Sequence, residues 1–395
     1  MPLPSRLSRS RPGSGAALGV TMAVANVLSY VFVLILSRAL GPADFGGFSA
    51  LSAYGIVLSV PAGALQVIVA RHVAGTPPHS RGLRTALVVG VALAAATILA
   101  APLLADAFRL DTTWSAVWLG LTLVPMTLTG AFQGILLGRN RLAALSAVYV
   151  ATAAGRLAAG AGGAALGLTV AQVFFLLLLV AIGVAVLGAA LCRSDLTLDD
   201  DRRLGTELVR ATMSLGAFIA LTNVDVTLAR AYLDDHDSGG YALAATFGRA
   251  MGWGTQFVAL LLVPRMQGAG AARAFRRSLG LILGLGLVGV AVIAAAPSFW
   301  IRLAGGAEYA EFGPLAIACV ALGVLWALVQ VSLFAEMGLD SPWLGRFTWI
   351  VLALQCAAIA LWFHDTPYEL VTVCAIGAAV IVAAALTRSR NLGRA

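Results

Sequence analysis

Arg38-Ala-Leu-Gly-Pro-Ala-Asp-Phe-Gly46-Gly47-Phe48-Ser-Ala-Leu-Ser-Ala-Tyr54-Gly55 returns later in the chain as Arg230-Ala-Tyr-Leu-Asp-Asp-His-Asp-Ser-Gly239-Gly240-Tyr241-Ala-Leu-Ala-Ala-Thr-Phe247-Gly248. Each copy begins Arg-Ala after an apolar run, crosses a short turn to Gly-Gly-aromatic, and enters a new apolar run. An aromatic-Gly pair follows seven residues after the second glycine. The second copy is one residue longer in the turn, and a basic residue, Arg71 or Arg265, lies near the end of each new run. Chance alignment in an Ala/Leu/Gly-rich chain is the alternative. The arginine, the glycine pair and two aromatics in register favour an internal repeat, which shapes everything else about a fold.

Working outward, the chain is 60% hydrophobic and only 11% charged, against about 25% charged residues in a soluble domain. Its mean hydropathy is +0.92. This is the composition of a polytopic membrane protein with little mass outside the bilayer. The 26 basic residues are all arginine and give a net charge of +8. In such a chain that excess is first a signal of topology rather than of nucleic-acid binding. Cys192, Cys319, Cys356 and Cys374 fall in or beside apolar runs without metal-ligand spacing and read as small buried hydrophobes.

A spanning helix needs about 20 apolar residues. Twelve runs fit: near 16–37, 47–70, 85–105, 114–137, 143–166, 168–192, 209–232, 241–264, 278–300, 312–335, 345–363 and 368–387. A tight turn near Gly167 separates the fifth and sixth. With the N-terminus in the cytosol, the inner segments hold 20 arginines and the outer ones four, Arg38, Arg109, Arg230 and Arg302. This asymmetry supports the count and places both termini in the cytosol. Trp114, Trp118, Trp300, Trp343 and Trp362 fall near run ends, where indole rings favour the interface.

Six runs precede the second repeat copy, so the two copies have the same orientation. The expected organisation is a cytosolic arm (1–15), an N-lobe of six helices (16–192), a cytosolic linker (193–208) and a C-lobe of six helices (209–395). Two such lobes, related by an axis along the membrane normal, place a substrate site in a central cavity between them. Asp199, Asp200 and Asp201 in the linker read as solvated residues rather than a metal site.

No loop holds a folded enzyme domain, and no Walker sequence, dinucleotide loop or Cys/His cluster is present, so no cofactor is expected. Asp234, Asp235 and Asp237 are the only acids a membrane glycosyltransferase would have at one turn, and they read as exposed turn residues.

Three charges fall well inside expected spans: Arg156, Asp225 and Arg249. Charge in hydrocarbon is costly and should face protein or a wet cavity. Helical rise puts Arg156 roughly 20 Å above the inner end of its span, and Arg249 and Asp225 roughly 10–12 Å below the outer ends of theirs. All three thus suit one cavity in the outer half of the membrane. Guanidinium groups bind phosphate oxygens bidentately, so Arg156 and Arg249 are candidate substrate-binding residues for an anion, with Asp225 as an ion-coupling group. A structural alternative stands beside this: Asp225 and Arg249 lie at similar depth on consecutive spans and neutralise each other. Arg156 has no acid at its depth. Gln66, Gln133, Gln330 and Gln355 are among the polar span residues that suit a hydrated path or interhelical contacts. Gly163-xxx-Gly167 and Gly280-xxx-Gly284 have the spacing of close helix packing, and Pro61, Pro125 and Pro264 are candidate kinks.

Three stretches resemble a known family. SRALGPADFGGFSALSAYGIVLSVPAGALQVIVAR carries a Leu-Gly-Pro-x-x-aromatic-Gly turn, here Leu40 to Gly46, before an aromatic-small-apolar helix. GAFQGILLGRNRLAALSAV is similar to the same family's fourth-to-fifth span connection, and NVDVTLARAYLDDHDSGGYALAATFGRAMGWGTQFVALLLVPRM to its seventh and eighth spans. The family is the Wzx-type O-antigen and teichoic-acid flippases of the multidrug/oligosaccharidyl-lipid/polysaccharide exporter superfamily. The resemblance implies two six-helix lobes in a V and translocation of an undecaprenyl-pyrophosphate-linked oligosaccharide across the cytoplasmic membrane. It implies basic cavity residues meeting the pyrophosphate or acidic sugars, and polysaccharide polymerases or glycosyltransferases as candidate partners. The chain departs from the pattern in its short length, in a cavity without lysine and in lacking the two extra helices of the lipid II flippase branch. A small-molecule antiporter on the same fold, which for cations would want more acids than Asp225 alone, and a non-transporting membrane scaffold are the alternatives.

Overall fold

The computed structural model describes residues 14–74, 82–195, 203–254, 271–337 and 343–392, and among them every regular element is a helix. In chain order these are α1 (Ser14–Leu58), α2 (Val60–Val73), α3 (Leu83–Leu99), α4 (Ala101–Ala107), α5 (Trp114–Gly138), α6 (Leu142–Ala165), α7 (Val170–Leu191), α8 (Arg203–Leu221), α9 (Val224–Tyr232) and α10 (Asp235–Gly254). They continue with α11 (Ala271–Ala295), α12 (Pro297–Gly305), α13 (Gly313–Met337), α14 (Trp343–Leu361) and α15 (Pro367–Leu392). Arg265, Pro264 and Asp199 to Asp201 lie outside the described residues.

Nine described helices are long and apolar enough to cross a membrane, or ten if α3 and α4, bent by 57°, form one span. The protein is therefore a multi-pass membrane protein. Large apolar side chains such as Leu287, Val288, Leu354 and Ile376 are exposed on its surface, as contact with lipid tails requires.

Two places account for the difference between twelve runs and ten. Leu18–Val73 counts as one apolar stretch of 56 residues, yet that is about 84 Å of helix, far beyond one bilayer core. It breaks at Gly41, where φ is 68° and ψ 174°. Glycine tolerates that left-handed φ, and Pro42 then supplies the preset φ of a first helical position. The expected turn from Arg38 to Gly46 is thus only one residue long, and Gly46-Gly47 lie inside the following helix. The second is the expected eighth run, 241–264, of which only the part up to Gly254 lies among the described residues, as the C-terminal portion of α10.

The second repeat copy follows the same plan. Asp234 Oδ1 accepts the N–H of Asp237 at 2.7 Å, capping the start of α10, so Gly239-Gly240 also fall in the first turns of a helix.

The described residues fall into two compact units. The first draws on 1–33, 61–99 and 117–209, the second on 34–60, 100–116 and 210–395. Within the first, glycines carry the packing of α5 on α2. A side chain on Gly130 would stand 2.3 Å from Ala62 O, on Gly134 2.8 Å from Gln66 O, and on Gly138 2.6 Å from Ala70 O. This four-residue stripe lets the two backbones touch. Within the second unit, α10 and α13 meet in the same way through Gly248 and Gly323. In each half of the sequence the second apolar run therefore packs on the fourth.

The glycine pairs anticipated from spacing are not the ones that pack. A side chain on Gly167, Gly280 or Gly284 would meet nothing within 4 Å, and Gly280 and Gly284 are exposed. Gly167 instead takes a left-handed φ of 61° in the tight turn between α6 and α7, where Leu168 N–H reaches back to Gly163 O at 2.9 Å, closing the helix end. Cys192, Cys319 and Cys374 are buried and Cys356 is half-buried, all as free thiols.

Candidate functional site

In the second unit the chain breaks between α8 and α9. Asn223 Nδ2 donates back to Ile219 O at 2.8 Å, and Thr222 Oγ1 to Phe218 O at 3.1 Å. These local bonds compete with helix continuation. They leave the carbonyl of Thr222 to accept Arg249 Nε at 3.2 Å.

Asp225, in the first turn of α9, is wholly buried. Its Oδ2 accepts the hydroxyl of Tyr241 at 3.2 Å, and Arg249 Nη2 stands 3.5 Å from its Oδ1. The structure thus brings Asp225 and Arg249 together, as their matched depths anticipate, and adds Tyr241, the aromatic of the second Gly-Gly motif. The pair is not sealed. The Arg249 side chain is 19% exposed and lines an open recess with Phe218, Thr222, Gly252, Trp326 and Gln330.

Arg156 belongs to the first unit, on α6. Its guanidinium lies 5.1 Å from the ring centroid of Phe32, within cation–π range. Among the described residues no carboxylate stands within ion-pair distance of it.

The second unit also contains a cluster whose acids read, from sequence, as turn residues. Arg230, buried at 3% exposure, donates from Nε to Phe108 O at 2.8 Å, from Nη1 to Ser238 Oγ at 3.0 Å and from Nη2 to Arg109 O at 3.2 Å. Asp235 Oδ1 stands 3.1 Å from Arg230 Nη1 and 2.7 Å from Arg109 Nε. Arg109 Nη2 in turn donates to Arg230 O and Leu233 O. Asp235 is therefore an ion-pair partner and not merely an exposed turn residue. The signal is present as arginine at a helix end followed by Asp-Asp, but its partner segment, Phe108–Arg109, is distant in sequence.

On the rim beside it, His236 and Glu311 pair. Partial burial of Asp237, together with the carboxylates of Asp234 and Glu311, pushes its carboxyl above the ordinary range, against the opposing pull of His236. Among the described residues no three His, Cys, Asp or Glu side chains converge as metal ligands would.

No protein-family model matches the chain, and no curated protein does. Solved structures do. One is an inward-facing multidrug resistance MATE family transporter of the MOP superfamily, at 15% identity and TM-score 0.71, covering 96% of this chain and 99% of that one. The chain shares its fold with that transporter. A second neighbour is the lipid II flippase MurJ in an inward closed conformation, at 11% identity and TM-score 0.71, covering 95% of this chain and 87% of the other. A third is a MOP superfamily transporter from Pyrococcus furiosus, described as having a binding pocket of reverse polarity, at 15% identity and TM-score 0.55, covering 95% and 94%. Both multidrug transporters and a lipid flippase thus share this MOP architecture.

Proposed function

We propose that the protein is a flippase or exporter that carries an undecaprenyl-pyrophosphate-linked oligosaccharide across the cytoplasmic membrane by alternating access. The lobes are residues 16–192 and 209–395, with both termini in the cytosol. The observation that carries this reading is the balance of charge within the spans: two arginines, Arg156 and Arg249, against one acid, Asp225. Asp225 is engaged by Arg249 and Tyr241, and Arg156 rests on an aromatic face without an acid among the described residues. Such a set favours an anion, since guanidinium stays charged when partly desolvated and matches phosphate geometry. The fold it shares with a lipid II flippase supports a lipid-linked substrate. Asp225 is the candidate ion-coupling group, and polysaccharide polymerases or glycosyltransferases are candidate partners.

One observation favours a second reading. A wholly buried acid at a helix break is a common device for cation exchange in membranes, and the same fold serves a multidrug transporter. A small-molecule antiporter is therefore the alternative.

A strain lacking the gene separates the two. Accumulation of undecaprenyl-pyrophosphate oligosaccharide on the inner leaflet, reversed by wild type but not by Arg156→Ala, is the flippase outcome. Intact surface glycans with no such accumulation would sink that reading and leave the antiporter.

A further inference from the structure

The recess beside Arg249 adjoins a very close helix contact in the second unit. A side chain on Gly248 of α10 would stand 2.3 Å from Cys319 O, and one on Gly323 of α13 2.0 Å from Gly248 O. The two backbones therefore touch. Along α13, Cys319, Gly323, Trp326 and Gln330 follow at helical intervals of four, three and four, one stripe on one face. Along α10, Gly248 is followed four residues later by Gly252, where the glycine contact loosens: among the described residues a Cβ there would meet Gly323 O, at 3.7 Å. Phe218 on α8 and Thr222 at the break after it close another side.

The recess is bordered by one cation, Arg249, and three neutral hydrogen-bonding side chains, Thr222, Trp326 and Gln330, of which Thr222 already donates to Phe218 O. Trp326 is 2% exposed, and among the described residues its buried indole Nε1–H has no hydrogen-bond partner. An indole nitrogen only donates, and a buried donor left unmade is costly. A tryptophan kept for its bulk alone has no use for that donor.

We propose that Trp326 is a specificity-determining donor of the substrate site, giving its N–H, beside the Arg249 guanidinium and the Gln330 amide, to an oxyanion that enters the recess. The chemical class is a phosphoryl group, presented either by a lipid pyrophosphate or by a free phosphate ester. The inference rests on the reading of Arg249 as substrate-binding and extends it to two residues of α13. Arg249 supplies charge. Trp326 supplies a fixed direction, because its rotamer is locked by packing, and so favours a ligand with a second acceptor oxygen over a halide or a bare cation.

The test uses the full-length protein in lipid nanodiscs with ¹⁵N-labelled tryptophan, and two probes, farnesyl pyrophosphate and inorganic pyrophosphate. Binding affinity is measured for wild type, Arg249→Gln, Trp326→Phe and Gly252→Val. The indole N–H signals are followed on titration, with that of Trp326 assigned by its loss in Trp326→Phe. Trp326→Phe keeps the aromatic bulk and should weaken binding about tenfold, as expected for one lost hydrogen bond to a charged group. Gly252→Val fills the recess without removing a donor and should weaken binding likewise, which keeps the test open should Trp326→Phe fail to fold. Farnesyl pyrophosphate binding without inorganic pyrophosphate binding assigns the phosphoryl group to a lipid, and binding of both assigns it to phosphate chemistry alone. Weakened binding in Arg249→Gln with wild-type binding in Trp326→Phe and Gly252→Val would overturn this inference and leave the Arg249 reading standing. Unchanged binding in all three variants, or no binding to wild type, would overturn both.

Discussion

Gly239 lies so close to Pro42 that a side chain on it would stand 2.0 Å from the Pro42 carbonyl oxygen. The relationship is nearly reciprocal, since a side chain on Gly46, the matching glycine of the first repeat copy, would stand 3.1 Å from Gly239 N. The second glycine of each pair has a matching role too. Gly47 faces Phe108 O and Leu110, and Gly240 faces the ring of Phe312. The repeat is thus a contact as well as a pattern: its two copies pack on each other through the glycines that identify them. Gly239→Ala should cost about 1–3 kcal/mol by overpacking, read as a fall in melting temperature of the purified protein. Gly183→Ala, with open space around it, should leave the melting temperature within error. Equal behaviour of the two variants would show that the copies do not bear on each other.

Arg230 ties the same junction together. Removing it leaves Phe108 O, Ser238 and Asp235 without their shared donor. Breaking a buried pair from one side costs about 3–5 kcal/mol, so Arg230→Ala should lower stability far more than Asp235→Asn, whose side chain is half exposed and whose ion pairs are screened to about 1 kcal/mol or less. Arg230→Lys should recover little, because one ammonium cannot reach three acceptors in the fork geometry. Thermal unfolding of the three variants checks the order.

Arg249 and Asp225 call for a double-mutant cycle. Arg249→Gln alone leaves Asp225 buried with the Tyr241 hydroxyl and the Val226 N–H but without its cation, and it should destabilise more than the pair Asp225→Asn/Arg249→Gln together. The expected coupling is about 1–3 kcal/mol. If the double variant folds but does not transport, the pair has a role beyond mutual neutralisation. If it folds and transports normally, the pair is structural.

Asp237 gives a pH dependence with a definite sign. Its folded-state carboxyl is raised by burial and by Asp234 and Glu311, so the folded state holds the proton more tightly than the unfolded chain does. Its contribution to stability is full below the ordinary aspartate range and is lost as pH rises through the raised value. Between weakly acidic and neutral pH the melting temperature of wild type should therefore fall by slightly more than that of Asp237→Asn. His236 opposes the shift, which keeps the effect small. An identical slope in the two proteins would contradict it.

Much of this is legible in the sequence because it is local. Leu40-Gly-Pro marks the break at Gly41, and helical rise alone matches the depths of Asp225 and Arg249, which stand 3.5 Å apart. What is not legible is long-range. Gly130, Gly134 and Gly138 have the same spacing as Gly280 and Gly284, but only a packed partner decides which glycines touch a neighbour. Asp235 reads as a turn residue because its partner Arg109 is far away in the chain. Trp326 lies in a helix that is apolar on all sides, so no periodic face points to it. The expected turn runs on to Gly46 because Gly-Gly more often ends a helix than packs inside one.

The most direct test of the account is transport in vesicles reconstituted with the purified protein. A fluorescent undecaprenyl-pyrophosphate oligosaccharide is placed in one leaflet, and its arrival in the other is followed by chemical quenching. The account predicts transfer well above that of protein-free vesicles, lost in Arg156→Ala and Arg249→Ala proteins that remain folded. Transfer no faster than in protein-free vesicles, or transfer that both variants preserve, would contradict it.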